Sequence, residues 1–134
     1  MSESTHYDIL VIGSGPAGQK AAIQGAKAGR RVAIIEREQV GGACVYRGTI
    51  PSKTLRESAV QLARMKRSAD VFQWHLPPGA EVAHLMTRLD HVIRSHGAYM
   101  EDQLKRNSVT FIHGRAQFKT DRIVDVLGPD GTLQ

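Results

Sequence analysis

Residues 7–18 read YDILVIGSGPAG, a short apolar run followed at once by closely spaced glycines. The run is rich in β-branched side chains, which predicts a strand buried on both faces, as in a parallel sheet. A helical pattern of small residues follows as far as Gly29, and residues 31–35 then predict a second buried strand that ends in Glu36. Together these segments predict a βαβ unit of about 30 residues.

The glycines at positions 13, 15 and 18 form the motif G-x-G-x-x-G. Alone this motif is weakly specific, but here it follows a strand, opens a helix and precedes an acid at the end of the next strand. Gly13 permits the tight turn, Gly15 leaves room for a pyrophosphate beside backbone N–H groups, and Gly18 lets the helix pack close to the strand. The helix N-terminus adds partial positive charge. We expect Glu36 to accept both ribose hydroxyls of an adenosine and to repel a 2′-phosphate.

The composition is that of a soluble globular domain. Of 134 residues, 41% are hydrophobic and 23% charged, and no apolar run approaches the roughly 18 residues of a membrane span. The net charge of +5 comes from dispersed basic residues without a basic tract, so we expect no nucleic acid partner. The polar amino terminus has no signal-peptide pattern and one cysteine excludes an internal disulfide, which makes the cytoplasm the expected compartment. We expect no metal site, because His84, His91 and His96 lack cysteine or E-x-x-H partners.

A second glycine-rich stretch, GGACVYRGTIPSK, occupies residues 41–53 and holds Cys44, the only cysteine. A lone cysteine between a glycine turn and a helix start is either a redox thiol or a small apolar filler. Pro51 presets the backbone for the first turn of a helix, and Thr49 is predicted to be its N-cap.

The rest of the chain predicts two helices, a loop and three short strands. Hydrophobic spacing predicts helices over residues 53–68 and 81–107, with a loop over 71–80 between them. From Val109 the period changes to that of strands, and the chain is predicted to form a meander with strands at residues 109–112, 116–118 and 122–126.

Four motifs together resemble the FAD domain of the pyridine nucleotide–disulfide oxidoreductases, at residues 13–18, 36–37, 41–44 and 48–53. Residues 111–118 are similar to the next FAD-contacting stretch of that family, so the resemblance covers essentially the whole chain. It implies an α/β, Rossmann-like FAD-binding domain, with a parallel sheet, helices and an antiparallel β-meander, incomplete at its C-terminus. It also implies that residues 1–134 are the N-terminal part of that domain, without the nicotinamide-binding and dimer-interface domains.

The resemblance assigns roles to individual residues. Lys53 matches the lysine that tunes the flavin, and Thr49 would lie close to the flavin. Ala43 replaces a threonine frequent in the family, so no hydroxyl–phosphate contact is expected there. The implied FAD-binding residues are Gly13, Ser14, Gly15, Pro16, Ala17 and Gly18 at the pyrophosphate, Glu36 at the ribose, Arg37, Arg115 and Ala116 at the adenosine, and Gly41, Gly42, Ala43, Cys44 and Lys53 on the flavin side.

Thr49 marks the departure from the disulfide-forming members of the family, which carry a second cysteine five positions after the first. A hydroxyl cannot form a disulfide or a charge-transfer thiolate, so reduction of lipoamide, glutathione or mercuric ion by the usual route is not expected. The threonine in G-T-I-P-S-K makes the sequence similar to the soluble transhydrogenases, a branch in which the flavin passes hydride between nicotinamides. We therefore interpret Cys44 as structural, with a retained reactive thiol as the other interpretation.

The resemblance thus implies the FAD-binding part of an oxidoreductase that transfers hydride between NADPH and NAD⁺ through FAD. The full-length enzyme would use NAD(P) as substrate, form a homodimer or higher homo-oligomer and need no membrane, and we do not expect this chain alone to be active. Two alternatives remain open. One is an atypical disulfide reductase of the dihydrolipoamide dehydrogenase type that uses Cys44 alone. The other is a non-catalytic module that binds FAD or another adenine nucleotide.

Overall fold

A computed structural model describes residues 5–73, 75, 77 and 79–133 of the chain. Within that part the chain forms a parallel sheet with helices packed on it, followed by an antiparallel hairpin. Of the predicted loop over residues 71–80, Trp74, Leu76 and Pro78 lie outside the described residues. The elements are β1 (Ile9–Ile12), α1 (Pro16–Lys27), β2 (Val32–Glu36), α2 (Gly42–Tyr46), α3 (Thr49–Arg67), α4 (Ala69–Phe72), α5 (Ala80–Arg106), β3 (Thr110–His113), β4 (Arg115–Phe118) and β5 (Val124–Leu127).

The parallel sheet has the order β1-β2-β3, with Ile9 opposite Val32 and Ala33 opposite Thr110. The prediction of a strand buried on both faces is confirmed for β2, in which the four residues from Val32 to Ile35 are all buried. It is wrong for β1, where Leu10 and Ile12 remain 37% and 48% exposed. The reason is that β1 lies at an edge of the described sheet and only its alternate side chains face the helices.

The core lies between that helix-covered face of the sheet and helices α1 and α5. Helix α1 approaches the sheet closely at Gly25, where an added Cβ would lie 2.8 Å from the Ile9 side chain. The small residues predicted along this helix therefore serve close packing. The buried cluster consists of Ala22, Val32, Ile34, Val40, Leu104 and Val109.

The predicted meander divides between two sheets. Strand β3, expected as its first strand, instead pairs in parallel with β2, and β4 and β5 form an antiparallel pair. Gly114 makes the transition, since its N–H donates to the Glu36 carbonyl oxygen at 2.9 Å. A Cβ at Gly114 would lie 2.6 Å from the Val126 side chain, so the turn into the hairpin requires glycine.

Two boundaries differ from the sequence prediction. Helix α3 begins at Thr49 instead of Lys53, and the predicted N-cap role of Thr49 is wrong. The N-cap is Gly48, whose carbonyl oxygen accepts the N–H of Ser52 at 3.1 Å, and no side chain caps this helix end. The short helix α4 occupies residues 69–72, and its last two residues lie where the predicted loop begins. The predicted long helix over residues 81–107 is confirmed within one residue at each end by α5.

Candidate nucleotide-binding site

The glycine-rich turn between β1 and α1 has the geometry that the motif predicts. Gly13 adopts φ +97°, and its N–H donates to the Ile35 carbonyl oxygen at 2.8 Å, which fixes the turn to the end of β2. A Cβ on Gly18 would collide with the Gly13 carbonyl oxygen. Gly15 differs, because nothing lies within 4 Å of where its Cβ would be. Space beside Gly15 is therefore open to a ligand, while Gly18 is required by the fold itself.

Helix α1 begins at Pro16 directly behind that open space. Its N-cap is Gly15, and among the described residues no side chain accepts a hydrogen bond from the N–H groups of its first turn. The first turn also contains no acidic residue. Because the partial positive charge of the α1 N-terminus is not neutralised by its own side chains, this end of the helix is suited to a phosphate group.

Ser14 and Glu36 form the hydrogen-bonded centre of the site. Glu36 Oε2 accepts hydrogen bonds from the Ser14 backbone N–H at 2.9 Å and from the Ser14 hydroxyl at 2.8 Å. Glu36 Oε1 accepts from the Glu38 N–H at 3.0 Å. Burial acts to raise the pKa of Glu36, but these hydrogen bonds outweigh it and hold the pKa below its ordinary value. Glu36 is therefore an ionised acceptor at neutral pH.

A cleft of about 270 Å³ lies beside this carboxylate, at the carboxyl ends of β1 and β2. Ligands bind at this edge in open α/β sheets. The cleft brings together five residues that the sequence assigned to one nucleotide, although they come from three separate parts of the chain. Its lining is Ile12, Gly13, Ile35, Glu36, Arg37, Gly114, Arg115 and Ala116.

The second glycine-rich stretch folds back against the first. Gly41 and Gly42 both have positive φ, +117° and +60°, and a Cβ on Gly42 would lie 3.3 Å from the Gly15 Cα. A Cβ on Gly41 would lie 2.6 Å from the Val45 side chain and 3.1 Å from the Met100 sulfur. The paired glycines thus place the start of α2 directly against the turn that opens α1.

Three residues predicted for the flavin side lie outside the hydrogen-bonded centre that Ser14 and Glu36 form. Cys44 is half-buried on α2, whereas Thr49 and Lys53 are exposed on the first turns of α3. None of the three lines the cleft beside Glu36. The structure therefore brings residues predicted for the adenosine side into one cleft and leaves these three side chains outside it. The roles of both groups remain predictions.

Sequence reasoning missed two contributors to the site. Gln19 is a buried polar residue on α1 whose amide donates to the Ser14 carbonyl oxygen at 3.1 Å. A glutamine on the small-residue face of a helix is the one sequence feature that could have drawn attention to it. His113, at the end of β3, has its Nε2 3.3 Å from the Arg37 carbonyl oxygen. That contact depends on the pairing of β3 with β2, which no local sequence pattern indicated.

A larger cleft, of about 460 Å³, lies between β3, α2 and α5 and is not lined by Ser14. It contains Tyr46, whose pKa is raised by burial and by the nearby Glu101 carboxylate. None of the residues assigned to a cofactor by sequence lines it, so size alone does not identify the nucleotide site. The other side chains that define it include Arg94, Phe111 and His113.

The described residues show neither a metal-ligand cluster nor a membrane-spanning helix. In ranges 5–73 and 79–133, with residues 75 and 77, no three His, Cys, Asp or Glu side chains are grouped as metal ligands would be. Over the same described part of the chain, no helix combines the length and apolar character needed to cross a membrane.

Comparison with known proteins adds three findings. The family model described as pyridine nucleotide-disulphide oxidoreductase matches residues 7–131. A soluble pyridine nucleotide transhydrogenase of Mycobacterium bovis (strain BCG / Pasteur 1173P2) is 47% identical over 114 residues, which are 84% of this chain and 24% of the relative. A protein of the same name from Pseudomonas putida (strain W619) is 36% identical over 130 residues, 96% of this chain and 28% of the relative.

A solved structure is also similar. The HOCl-induced flavoprotein disulfide reductase RclA from Escherichia coli matches with a TM-score of 0.74 and 27% sequence identity, over 96% of this chain and 26% of that one. This similarity confirms the predicted α/β fold with its parallel sheet. The chain spans about a quarter of the length of these relatives.

Proposed function

The chain belongs to the pyridine nucleotide-disulphide oxidoreductase family, and from that premise we propose that it is the N-terminal part of the FAD-binding domain of a soluble transhydrogenase. The longer enzyme would transfer hydride from NADPH through FAD to NAD⁺. The observation that carries the proposal is the ionised Glu36 carboxylate, held beside the open space at Gly15 and the uncapped start of α1. The relatives named as transhydrogenases support the choice of reaction.

The residues of the cleft fit the adenosine diphosphate half of FAD. The N–H groups at the start of α1 would bind the pyrophosphate, since no side chain caps them and Gly15 lets a phosphate approach. Glu36 would accept hydrogen bonds from the ribose hydroxyls. Arg37, Arg115 and Ala116, which line the same cleft, would surround the adenine.

The flavin half would lie on the side of Gly41 and Gly42, which pack against the same turn. When bound, FAD would supply the group that accepts hydride from one nicotinamide and returns it to another. Ala43 and Cys44, at the start of α2, would face this half. Lys53 would adjust the potential of the flavin electrostatically, and Thr49 would occupy the place of a second cysteine.

Because Thr49 occupies the position of the second cysteine, the proposed reaction includes no electron transfer through a pair of thiols. The chain contains one cysteine, so no disulfide forms within it. A flavin that exchanges hydride between two nicotinamides requires no disulfide, which agrees with threonine at this position. We propose that Cys44 has a structural role and that the longer enzyme is a soluble, cytoplasmic homodimer or higher homo-oligomer. The nicotinamide-binding and interface domains would belong to the remainder of that enzyme.

A disulfide reductase is the second candidate, since the similar solved structure is named as one. The longer enzyme would then use Cys44 as its single thiol. The two functions separate in one assay of the longer enzyme, with NADPH as donor and either thio-NAD⁺ or a disulfide as acceptor. The proposal expects hydride transfer to thio-NAD⁺ that persists in Cys44→Ser. Rapid disulfide reduction that Cys44→Ser abolishes, without transfer to thio-NAD⁺, would overturn it.

The cofactor assignment is tested on this chain directly. FAD added to the purified chain is expected to bind, which changes the flavin fluorescence and gives the bound protein a flavin absorbance. Free ADP is expected to compete with FAD, because both would use the cleft beside Glu36. A purified, folded chain that leaves FAD fluorescence unchanged would show that this part of the enzyme is not sufficient for binding.

A further inference from the structure

The Ser14 hydroxyl lies where three segments of the site meet. It has no exposed surface, donates to Glu36 Oε2 at 2.8 Å and accepts the Gly41 N–H at 3.1 Å. Glu36 ends β2, and Gly41 precedes α2. Sequence reasoning placed Ser14 at the pyrophosphate only. Its side chain instead turns inward and connects the two glycine-rich stretches to the carboxylate.

The Ser14 hydroxyl restrains a side chain that would otherwise be mobile. A partly exposed glutamate samples several rotamers, and fixing one of them costs conformational entropy whenever a ligand requires it. In this chain the carboxylate is already held, at Oε2 by the backbone and side chain of Ser14 and at Oε1 by Glu38. A backbone hydrogen bond from Arg37 also contributes to the lowered pKa of this carboxylate. The carboxylate is therefore held by Ser14 and by the two residues that follow Glu36.

We propose that Ser14 is a positioning residue that pre-orients Glu36 for an adenosine ribose and, through Gly41, sets the distance between the two glycine-rich stretches. This inference rests on the proposed function, because it takes the ribose as the ligand of Glu36. Ser14 contributes by removing the rotamer freedom of Glu36 before the nucleotide arrives. Its hydroxyl does not touch the ligand.

The charged side chains near Glu36 do not replace the hydrogen bond that the Ser14 hydroxyl donates to it. Arg37 and Glu38 follow Glu36 directly, and Glu38 is paired with Arg47 at 2.6 Å. Arg115 shares the cleft, and His113 lies opposite Glu36 in the strand register. Among the hydrogen bonds of the described residues, Ser14 alone provides a side-chain donor to the Glu36 carboxylate. Substituting alanine would remove both hydroxyl contacts and keep the backbone N–H bond.

The test compares two ligands on two proteins. ADP and 2′,3′-dideoxy-ADP are titrated calorimetrically into the unchanged chain and into Ser14→Ala. We expect Ser14→Ala to weaken ADP binding by up to about tenfold, because the ligand must then order the freed Glu36 side chain, and to leave binding of the dideoxy ligand unchanged. Ser68→Ala, which removes a serine hydroxyl at the end of α3, is the matched control and should alter neither affinity. Equal weakening of both ligands would show that Ser14 is merely structural, and unchanged ADP binding would also overturn the proposal.

A ligand-independent measurement separates this inference from the proposed function. Carbon-13 NMR of the Glu36 carboxyl is expected to give a higher pKa in Ser14→Ala than in the unchanged chain, and the Gly41 amide should exchange faster with solvent. If those changes occur but neither this chain nor the longer enzyme binds ADP, the proposed function fails and the control of Glu36 by Ser14 stands. An unchanged carboxyl pKa and Gly41 exchange rate would sink the inference whatever ADP does.

Should Ser14→Ala not fold, the unchanged chain still provides a decisive measurement. A buried hydroxyl group whose proton is donated to a carboxylate and whose oxygen accepts an amide N–H exchanges that proton slowly, so the proton gives its own NMR resonance. We expect such a resonance for Ser14, with a nuclear Overhauser effect to the Gly41 amide. A Ser14 hydroxyl proton that exchanges too fast to be observed would contradict the proposed restraint.

Discussion

At the adenosine end of the proposed site, Ser14 and Glu36 are joined by hydrogen bonds of 2.8 and 2.9 Å. At the flavin end, Thr49 and Lys53 lie exposed on the first turns of α3. The first arrangement starts from the βαβ unit, which supplies Ser14 and Glu36, and it is completed by the N–H groups of Glu38 and Gly41. At the flavin end, Gly41 packs closely against Val45 and Met100, and Gly42 against the glycine turn at Gly15. The adenosine end is therefore held by hydrogen bonds to a side chain, whereas the side chains of Thr49 and Lys53 are exposed.

The largest effect is expected where the fold of the adenosine end itself depends on glycine. Gly18→Ala places a Cβ against the Gly13 carbonyl oxygen, and overpacking against backbone should cost about 3 kcal/mol of unfolding free energy. Urea denaturation followed by circular dichroism measures this. An unchanged denaturation midpoint would show that the turn is not as tightly packed as the structure indicates.

Gly15→Ala separates nucleotide binding from stability, because the added Cβ enters the space proposed for the pyrophosphate without disturbing the packing of the protein. Nothing lies within 4 Å of the added Cβ, and Gly15 has φ −62°, which alanine adopts without strain. We expect an unfolding free energy equal to that of the unchanged chain, while FAD affinity falls at least about tenfold through loss of phosphate hydrogen bonds. Fluorescence titration measures the affinity. FAD binding that survives Gly15→Ala would place the pyrophosphate elsewhere.

The lowered pKa of Glu36 makes the unfolding free energy depend on pH. Since the folded-state pKa lies below the ordinary value of 4.5, the ionised carboxylate stabilises the fold above that value. This contribution is lost as the pH falls through the folded-state pKa. Glu36→Gln should therefore lower the unfolding free energy at pH 7 by about 1 kcal/mol, as loss of a charged hydrogen-bond acceptor does, and the difference should shrink at pH 3.

The control for Glu36→Gln is Glu57→Gln. Glu57 is an exposed residue of α3 that accepts a hydrogen bond from Gln61. Its substitution should leave the unfolding free energy almost unchanged at both pH values. If Glu36→Gln behaves like Glu57→Gln, the adenosine end is no more organised than the surface of α3.

The smallest effect is expected at Cys44, on the flavin side. Cys44 is half-buried, and serine is close to it in size. Cys44→Ser should change FAD affinity by less than about twofold, because a small filler residue is replaced by one of similar volume. The same fluorescence titration measures it. A large loss of FAD affinity would mean that the thiol contacts the cofactor and that the flavin side is more organised than its exposed side chains indicate.

The sequence predicted the parts of the site that depend on neighbours along the chain. The positive φ of Gly13, the close packing at Gly18 and the acid at the end of β2 all follow from one βαβ motif. The pairing of β3 with β2 does not, because it depends on a register set between residues about 75 positions apart in the chain, such as Ile34 and Phe111.

Predictions for individual residues differ from the structure where they depend on features that a local pattern does not show. Threonine is a residue type that often caps helix N-termini. Here Gly48 is the N-cap, so the helix begins at Thr49, one residue earlier than it would if Thr49 were the cap. The inward orientation of Ser14 depends on Gly41, 27 positions away, which lies beyond the reach of a local pattern. The exposure of Leu10 and Ile12 follows from the position of β1 at the edge of the described sheet.

The central claim is that the nucleotide binds in the smaller cleft beside Glu36. Amide chemical shifts recorded during an ADP titration of the unchanged chain test it most directly. We predict that the largest changes fall at residues 13–18, 36–37 and 114–116, which surround that cleft and the start of α1. Changes confined instead to Tyr46, Arg94, Glu101 and the rest of the larger cleft between β3 and α5 would contradict the account.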